Sequence, residues 1–160
     1  MQLPEEFKKG ISVLAEAKVK NVLPAPEACP YCGSAVEVRH HIDHYGQVYA
    51  KAWPWLYACS ACDASTGMHP RTSIPLGTMG DAATRAARAE CKKPFIRLYT
   101  NGRMGRRSAY KRLAEKLGID VNECHFGWFD IEMCHRAVEA VKEIEKDLES
   151  EDNFLRNIGV

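Results

Sequence analysis

Cys29-Pro30-Tyr31-Cys32-Gly33 and Cys59-Ser60-Ala61-Cys62-Asp63 are the two stretches that decide how this chain folds. A Cys-x-x-Cys turn lets two thiolates reach one ion from a single tight loop, and two such turns complete a four-sulfur tetrahedral shell. Such a shell leaves no open position for a substrate, so its expected role is structural. The predicted ligands are Cys29, Cys32, Cys59 and Cys62, and the predicted cofactor is one zinc ion.

Working outward, the residues between and just after the pairs read as short strands. Residues 36–40 alternate in polarity, 43–47 carry turn chemistry, and 48–50 are expected to run back. Residues 53–58 form a second strand-like run, in which Pro54 points to an edge position because proline cannot donate to a ladder. Residues 65–69 return after the second pair. Knuckle, hairpin, knuckle, strand is the order of a zinc ribbon, here predicted over 26–77. The long gap between the pairs is assigned to an inserted hairpin.

The flanks read as helical. Residues 4–20 predict an amphipathic helix with Phe7, Ile11, Leu14 and Val19 near one stripe, and Pro24 and Pro26 end it. Thr78 is expected to cap the next helix, with Asp81 in its first turn. Pro94 is expected to kink or restart that helix, and Asn101-Gly102 to end it. A further helix is predicted over 108–117 with Gly118 as its stop, then an aromatic corner over 126–129. Asp130 should cap a last helix whose apolar positions Ile131, Cys134, Val138, Val141 and Leu148 follow near-heptad spacing. Docking on the rest of the subdomain is preferred to a dimer seam, because the stripe is short for a coiled coil, and the sequence leaves the oligomeric state open. The predicted class is α+β: a zinc-ribbon β-hairpin module packed with a mainly α-helical C-terminal subdomain. Its expected parts are an N-terminal helix and linker (1–25), the ribbon (26–77), the helical subdomain (78–150) and a frayed tail (151–160).

Composition narrows the function classes. Hydrophobic residues make up 46% of the 160, enough for a real core, yet no apolar run approaches the roughly 18 residues of a membrane span. The first residues lack the layout of a secretory leader, so a cytoplasmic protein with no membrane partner is expected. Seven cysteines, an odd number, then fit metal binding better than disulfides. Cys91, Cys124 and Cys134 are read as buried thiols. A second metal cluster drawing on them with His125 and His135 has no spacing pattern behind it.

The net charge of +1 conceals a segregation. From Arg85 to Lys116 there are eleven Lys or Arg against Glu90 and Glu115, whereas Glu143, Glu145, Asp147, Glu149, Glu151 and Asp152 crowd the end of the chain. A basic surface with so few carboxylates of its own fits a polyanion. The expected phosphate contacts are Arg103, Arg106, Arg107, Lys111 and Arg112. If residues 53–57 are extended, Trp53, Trp55 and Tyr57 share a face, and that row can either pack the ribbon or stack unpaired bases.

His40-His41-Ile42-Asp43-His44 resembles the ligand-rich strand of an HNH nuclease, a fold that often carries two Cys-x-x-Cys pairs. However, no asparagine lies between His44 and Cys59, and Asp63 stands where that pattern has histidine. No catalysis is therefore expected, and a degenerate HNH-like metal nuclease using His40, His41 and Asp43 ranks third among the readings.

A broader resemblance covers roughly residues 28–140. Besides the two Cys pairs it rests on Gly67-Met68-His69-Pro70, Pro75-Leu76-Gly77-Thr78 and Ser108-Ala109-Tyr110. It continues through Leu113-Ala114-Glu115-Lys116-Leu117-Gly118-Ile119 and Cys124-His125-Phe126-Gly127. In these the chain resembles a family of small zinc-finger-containing proteins, mostly of phages and prophages, with no assigned function. The resemblance implies a ribbon fused to a helical half, the same four cysteine ligands, and a mobile-element origin in a host cytoplasm. The leading functional expectation is nucleic-acid binding, to single-stranded or irregular DNA or RNA. The alternative is a phage-encoded module that inhibits or redirects a host protein complex through its acidic last helix.

Overall fold

Each cysteine pair sits at the end of a short strand, and the strands bring the pairs together. In the computed structural model, which describes residues 1–159, β1 (Val36–His40) leaves the first pair and β2 (Trp55–Cys59) runs into the second. They pair antiparallel with Val36 opposite Cys59 and His40 opposite Trp55. After the second pair, β3 (Ser65–Gly67) pairs antiparallel with β2, so the sheet order is β1-β2-β3. The α+β class holds: a small antiparallel sheet followed by helices. The chain divides into two units, Met1–Arg85 and the residues from Ala86 onward.

Several local expectations for the first unit are corrected. β2 is central rather than an edge. Pro54 lies just before the strand, outside its ladder, and its carbonyl accepts from the His41 amide at 2.8 Å, so the missing N–H costs the sheet nothing. Residues 48–50 do not run back as a strand. A short helix α3 (His41–Tyr45) follows β1 instead, its first turn capped by His40 Nδ1, which accepts from the Ile42 amide at 3.2 Å. It stops at Gly46, whose φ of 72° is the left-handed region where glycine carries no Cβ penalty.

The N-terminal amphipathic helix is two short helices, α1 (Glu5–Gly10) and α2 (Val13–Ala17). Of the predicted stripe, Phe7 is fully buried while Leu14 is 76% exposed. Ser12 breaks the run: it is extended, and its side chain accepts from the Ala15 amide to start the second helix. Gly10 is needed where it stands, because a Cβ there would run into the Trp53 ring.

The helix expected from Thr78 begins at Ala82, as α4 (Ala82–Thr100). Residues before it are held in the sheet instead. Ser65 and Gly80 exchange backbone hydrogen bonds at 3.0 Å, and Gly77 accepts from the Thr66 hydroxyl at 3.0 Å. Asp81, not Thr78, caps α4, accepting from the Thr84 amide at 2.9 Å, and Asp63 accepts from the Ala82 amide at 3.0 Å. Pro94 lies inside α4, and the helix runs on through it to Thr100.

The second unit is built from most of α4, α5 (Arg106–Leu117), two single 3-10 turns at Val121–Glu123 and Phe126–Trp128, and α6 (Ile131–Asn157). Its core joins Phe95 and Leu98 of α4, Leu113 and Leu117 of α5, Phe126 and Phe129 of the aromatic corner, and Cys134, Ala137, Val141, Ile144 and Leu148 of α6. Asp130 caps α6 by accepting from the Met133 amide at 2.7 Å. Gly118 ends α5 at φ 70°, and Arg136 of α6 donates to the freed Leu117 carbonyl at 2.8 Å. The segment expected to fray from 151 is helical to Asn157. Its acids Glu151 and Asp152 are tied to α5 and to the loop before it; Val160 lies outside the described residues. Among the described residues no helix is long and apolar enough to cross a membrane.

Candidate metal centre and basic helix

The four cysteine sulfurs converge. Cys29 Sγ lies 3.6 Å from Cys62 Sγ, Cys32 Sγ lies 3.4 Å from Cys59 Sγ, and all four lie within 4.8 Å of one another. A tetrahedral ion with metal–sulfur bonds of about 2.3 Å holds its sulfurs roughly 3.8 Å apart. The set is therefore the right size for one zinc ion. Each pair is shaped by its backbone: the Gly33 amide donates to the Cys29 carbonyl at 2.9 Å, with Gly33 at φ 75°, and the Cys29 amide donates to Ser34 at 2.8 Å. At the second turn the Ala61 and Cys62 amides both donate to Cys59 Sγ at 3.4 Å.

The electrostatics point the same way. Hydrogen bonds from Ser34, side chain first and backbone second, lower the Cys32 thiol to about 6. At Cys62 an Ala64 backbone hydrogen bond lowers the pKa, but desolvation and the neighbouring sulfurs outweigh it and push the thiol up to about 12. Four thiolates this close repel one another, so only a cation in their midst lets all four ionise. Zinc there would tie the two turns together and supply folding free energy; it has no further position to offer a reactant.

The ribbon aromatics have a different job from base stacking. Trp53, Trp55 and Tyr57 share one face, as their alternation requires, and that face is the inside. Phe7 of α1 covers Trp53 and Trp55 at ring distances of 5.3 and 5.8 Å. The polar ends are satisfied by the 72–73 loop: Trp53 Nε1 donates to the Thr72 carbonyl at 3.0 Å and the Tyr57 hydroxyl to Ser73 at 2.6 Å. With relative exposures of 6%, 9% and 2%, these three side chains present no face to a base, and the stacking role expected of them is withdrawn.

The basic run is less solitary than its sequence implies, because α6 brings the missing carboxylates. Arg103 pairs with Asp152, Arg112 with Glu151 at 3.2 Å, and Lys116 with Asp147 at 2.8 Å and Glu143 at 3.6 Å. Glu143, Asp147 and Glu151 recur at intervals of four, so one face of α6 runs alongside α5. That periodicity was visible in the sequence; its partner helix was not. Arg106 lies over the Tyr110 ring at 5.1 Å. Arg107 and Lys111 are exposed and make no ion pair among the described residues. The first turn of α5 holds no acid, and Gly105 gives it no side-chain cap.

His40 and His41 are occupied locally. His41 is buried and its Nδ1 accepts from the Tyr49 amide at 3.3 Å, while His40 caps α3. Among the described residues the four cysteines are the one group of three or more metal-capable side chains, and Cys91, Cys124, His125, Cys134 and His135 do not assemble into another. Burial pushes the Cys91 and Cys124 thiols up, to about 12 and about 11, so they stay protonated in the core.

A four-thiolate site built on two knuckles and a three-stranded sheet defines a zinc-finger protein of the ribbon type. The sequence profile of DUF3268, a zinc-finger-containing domain, matches residues 25–144, and the chain belongs to that family. No curated protein and no solved structure matches the chain.

Proposed function

We propose that the protein is a non-catalytic nucleic-acid-binding module of phage type, in which zinc holds the ribbon and α5 meets the phosphates. The observation that carries this reading is the basic start of α5. Arg106, Arg107 and Lys111 stand exposed there, beside uncapped helix amides and without a nearby first-turn acid. Helix amino ends and guanidinium groups both favour phosphate oxygens. Arg103 and Arg112 contribute less to the resting surface, since Asp152 and Glu151 already occupy them. Single-stranded or irregular DNA or RNA is the expected ligand.

The test is fluorescence anisotropy of a labelled single-stranded oligonucleotide across a salt series. The native protein should bind with an affinity that falls steeply as salt rises, and Arg107→Ala/Lys111→Ala should weaken binding and flatten that dependence. Binding indifferent to salt, or unchanged in the double variant, overturns the assignment to α5.

The second reading, a host-protein partner, draws on the end of α6. Its apolar stripe continues past the last buried position, Leu148, to Leu155 and Ile158, which are exposed beside Phe154. Capture of one stoichiometric protein, unaffected by nuclease and lost in Leu155→Glu, would favour it. The nuclease reading has the least support, because both histidines it needs are engaged in shaping α3.

A further inference from the structure

Although Trp53 and the two aromatics of β2 are sealed, the segment between β1 and β2 carries another set that is not. Tyr49 is 67% exposed, Ile42 51% and Tyr45 37%. Large apolar side chains left together in water mark a binding surface more often than a packing fault. Ile42 and Tyr45 are three residues apart on α3 and so share a side of it. Tyr45 and Tyr49 meet edge to face, with centroids 5.0 Å apart at 87°, and the His44 ring lies 4.6 Å from Tyr45.

The cluster is held in place before any ligand arrives. The Tyr49 amide donates to Nδ1 of buried His41, whose own amide donates to Pro54. Gln47 Nε2 donates to the Tyr49 hydroxyl, and the Tyr45 hydroxyl lies 3.5 Å from Ser65 Oγ. Desolvation, with the charges of Arg39 and Arg85 behind it, lowers the His44 pKa, so that ring is a neutral aromatic at neutral pH.

We infer that Tyr45 and Tyr49 form a stacking platform for unpaired nucleobases on the ribbon, separate from the basic start of α5. The charge of the segment selects this occupant. Between β1 and β2 the one acid, Asp43, is matched by the one lysine, Lys51, and Arg39 of β1 is already paired with Glu37 at 2.5 Å. Backbone phosphates can therefore pass without repulsion, whereas a basic partner surface finds almost nothing to pair with. Rings fixed in advance lose little freedom on binding, and every base offers a π-face, so recognition tolerates sequence. This inference rests on the nucleic-acid reading of the previous section but uses different residues in the other unit.

Anisotropy with labelled oligo(dT), and with a blunt duplex of the same length, tests it. Tyr49→Ala and Tyr45→Ala/Tyr49→Ala should each weaken oligo(dT) binding by about five-fold or more. Duplex binding should be unaffected and the salt slope unchanged, because no phosphate contact is lost. Tyr49→Trp should bind at least as well as the native protein, which a merely structural role for the ring does not predict. Retention of metal by each variant shows that the ribbon is intact. Oligo(dT) binding that is unchanged in the double alanine variant, yet lost in Arg107→Ala/Lys111→Ala, overturns the platform while leaving the α5 reading in place, and turns the tyrosines toward a protein partner. No binding of either nucleic acid by the native protein overturns both.

Discussion

The two units solve the same problem with different materials. The first has a sheet with strands of five, five and three residues, two very short N-terminal helices and much irregular loop. Its apolar interior is a small aromatic cluster around Phe7, Trp53 and Trp55. The second has most of the 19-residue α4, helices of 12 and 27 residues, and an interior of aliphatic and aromatic side chains drawn from all of them. Long amphipathic helices bury a continuous stripe and need no cross-link. Short strands and loops bury little per residue, so a metal must contribute what packing cannot.

That contrast breaks most visibly on removal of the metal. A strong chelator, or Cys32→Ser with Cys59→Ser, should abolish the fold of the first unit, since structural zinc supplies on the order of 10 kcal/mol in small modules. Most helical circular dichroism should survive, because the long helices lie largely in the second unit. Loss of the whole helical signal would show that the second unit depends on the first. The opposite perturbation is Phe95→Ala. Phe95 is fully buried and touches Tyr99, Tyr110 and Phe126. Its loss should destabilise the second unit by about 3–5 kcal/mol in urea unfolding while the protein still carries one equivalent of zinc. Released zinc in that variant would contradict the division.

A smaller change sharpens the comparison within the first unit. Gly10→Ala places a methyl against the Trp53 ring, and overpacking of this kind costs about 1–3 kcal/mol. Trp53 is pinned by its hydrogen bond to Thr72, so the ring cannot simply turn aside. A variant as stable as the native protein would mean that α1 is loosely attached and that metal alone, without the aromatic cluster, organises the ribbon.

What was legible in the sequence had local causes. Two Cys-x-x-Cys pairs state their own geometry, since each turn is set by a handful of consecutive residues, and β1 followed from its alternation. The end of α5 at Gly118 and the start of α6 at Asp130 followed from capping chemistry that involves residues at most five apart. Where a cap failed, at Thr78, the cause was distant: pairing of Gly80 with Ser65 held that segment in the sheet.

The tertiary structure alone decided which way things faced. Alternation says that Trp53, Trp55 and Tyr57 share a side, but only Phe7, nearly fifty residues earlier, makes that side the inside. Charge counting along the chain finds a basic run and an acidic run, but only the packing of α5 on α6 sets Arg103 against Asp152 and Arg112 against Glu151, leaving Arg107 and Lys111 outside the pairing. The physical reason is common to both. Spacing along a chain determines which side chains are neighbours on one element, whereas burial and ion pairing depend on what another element places against them.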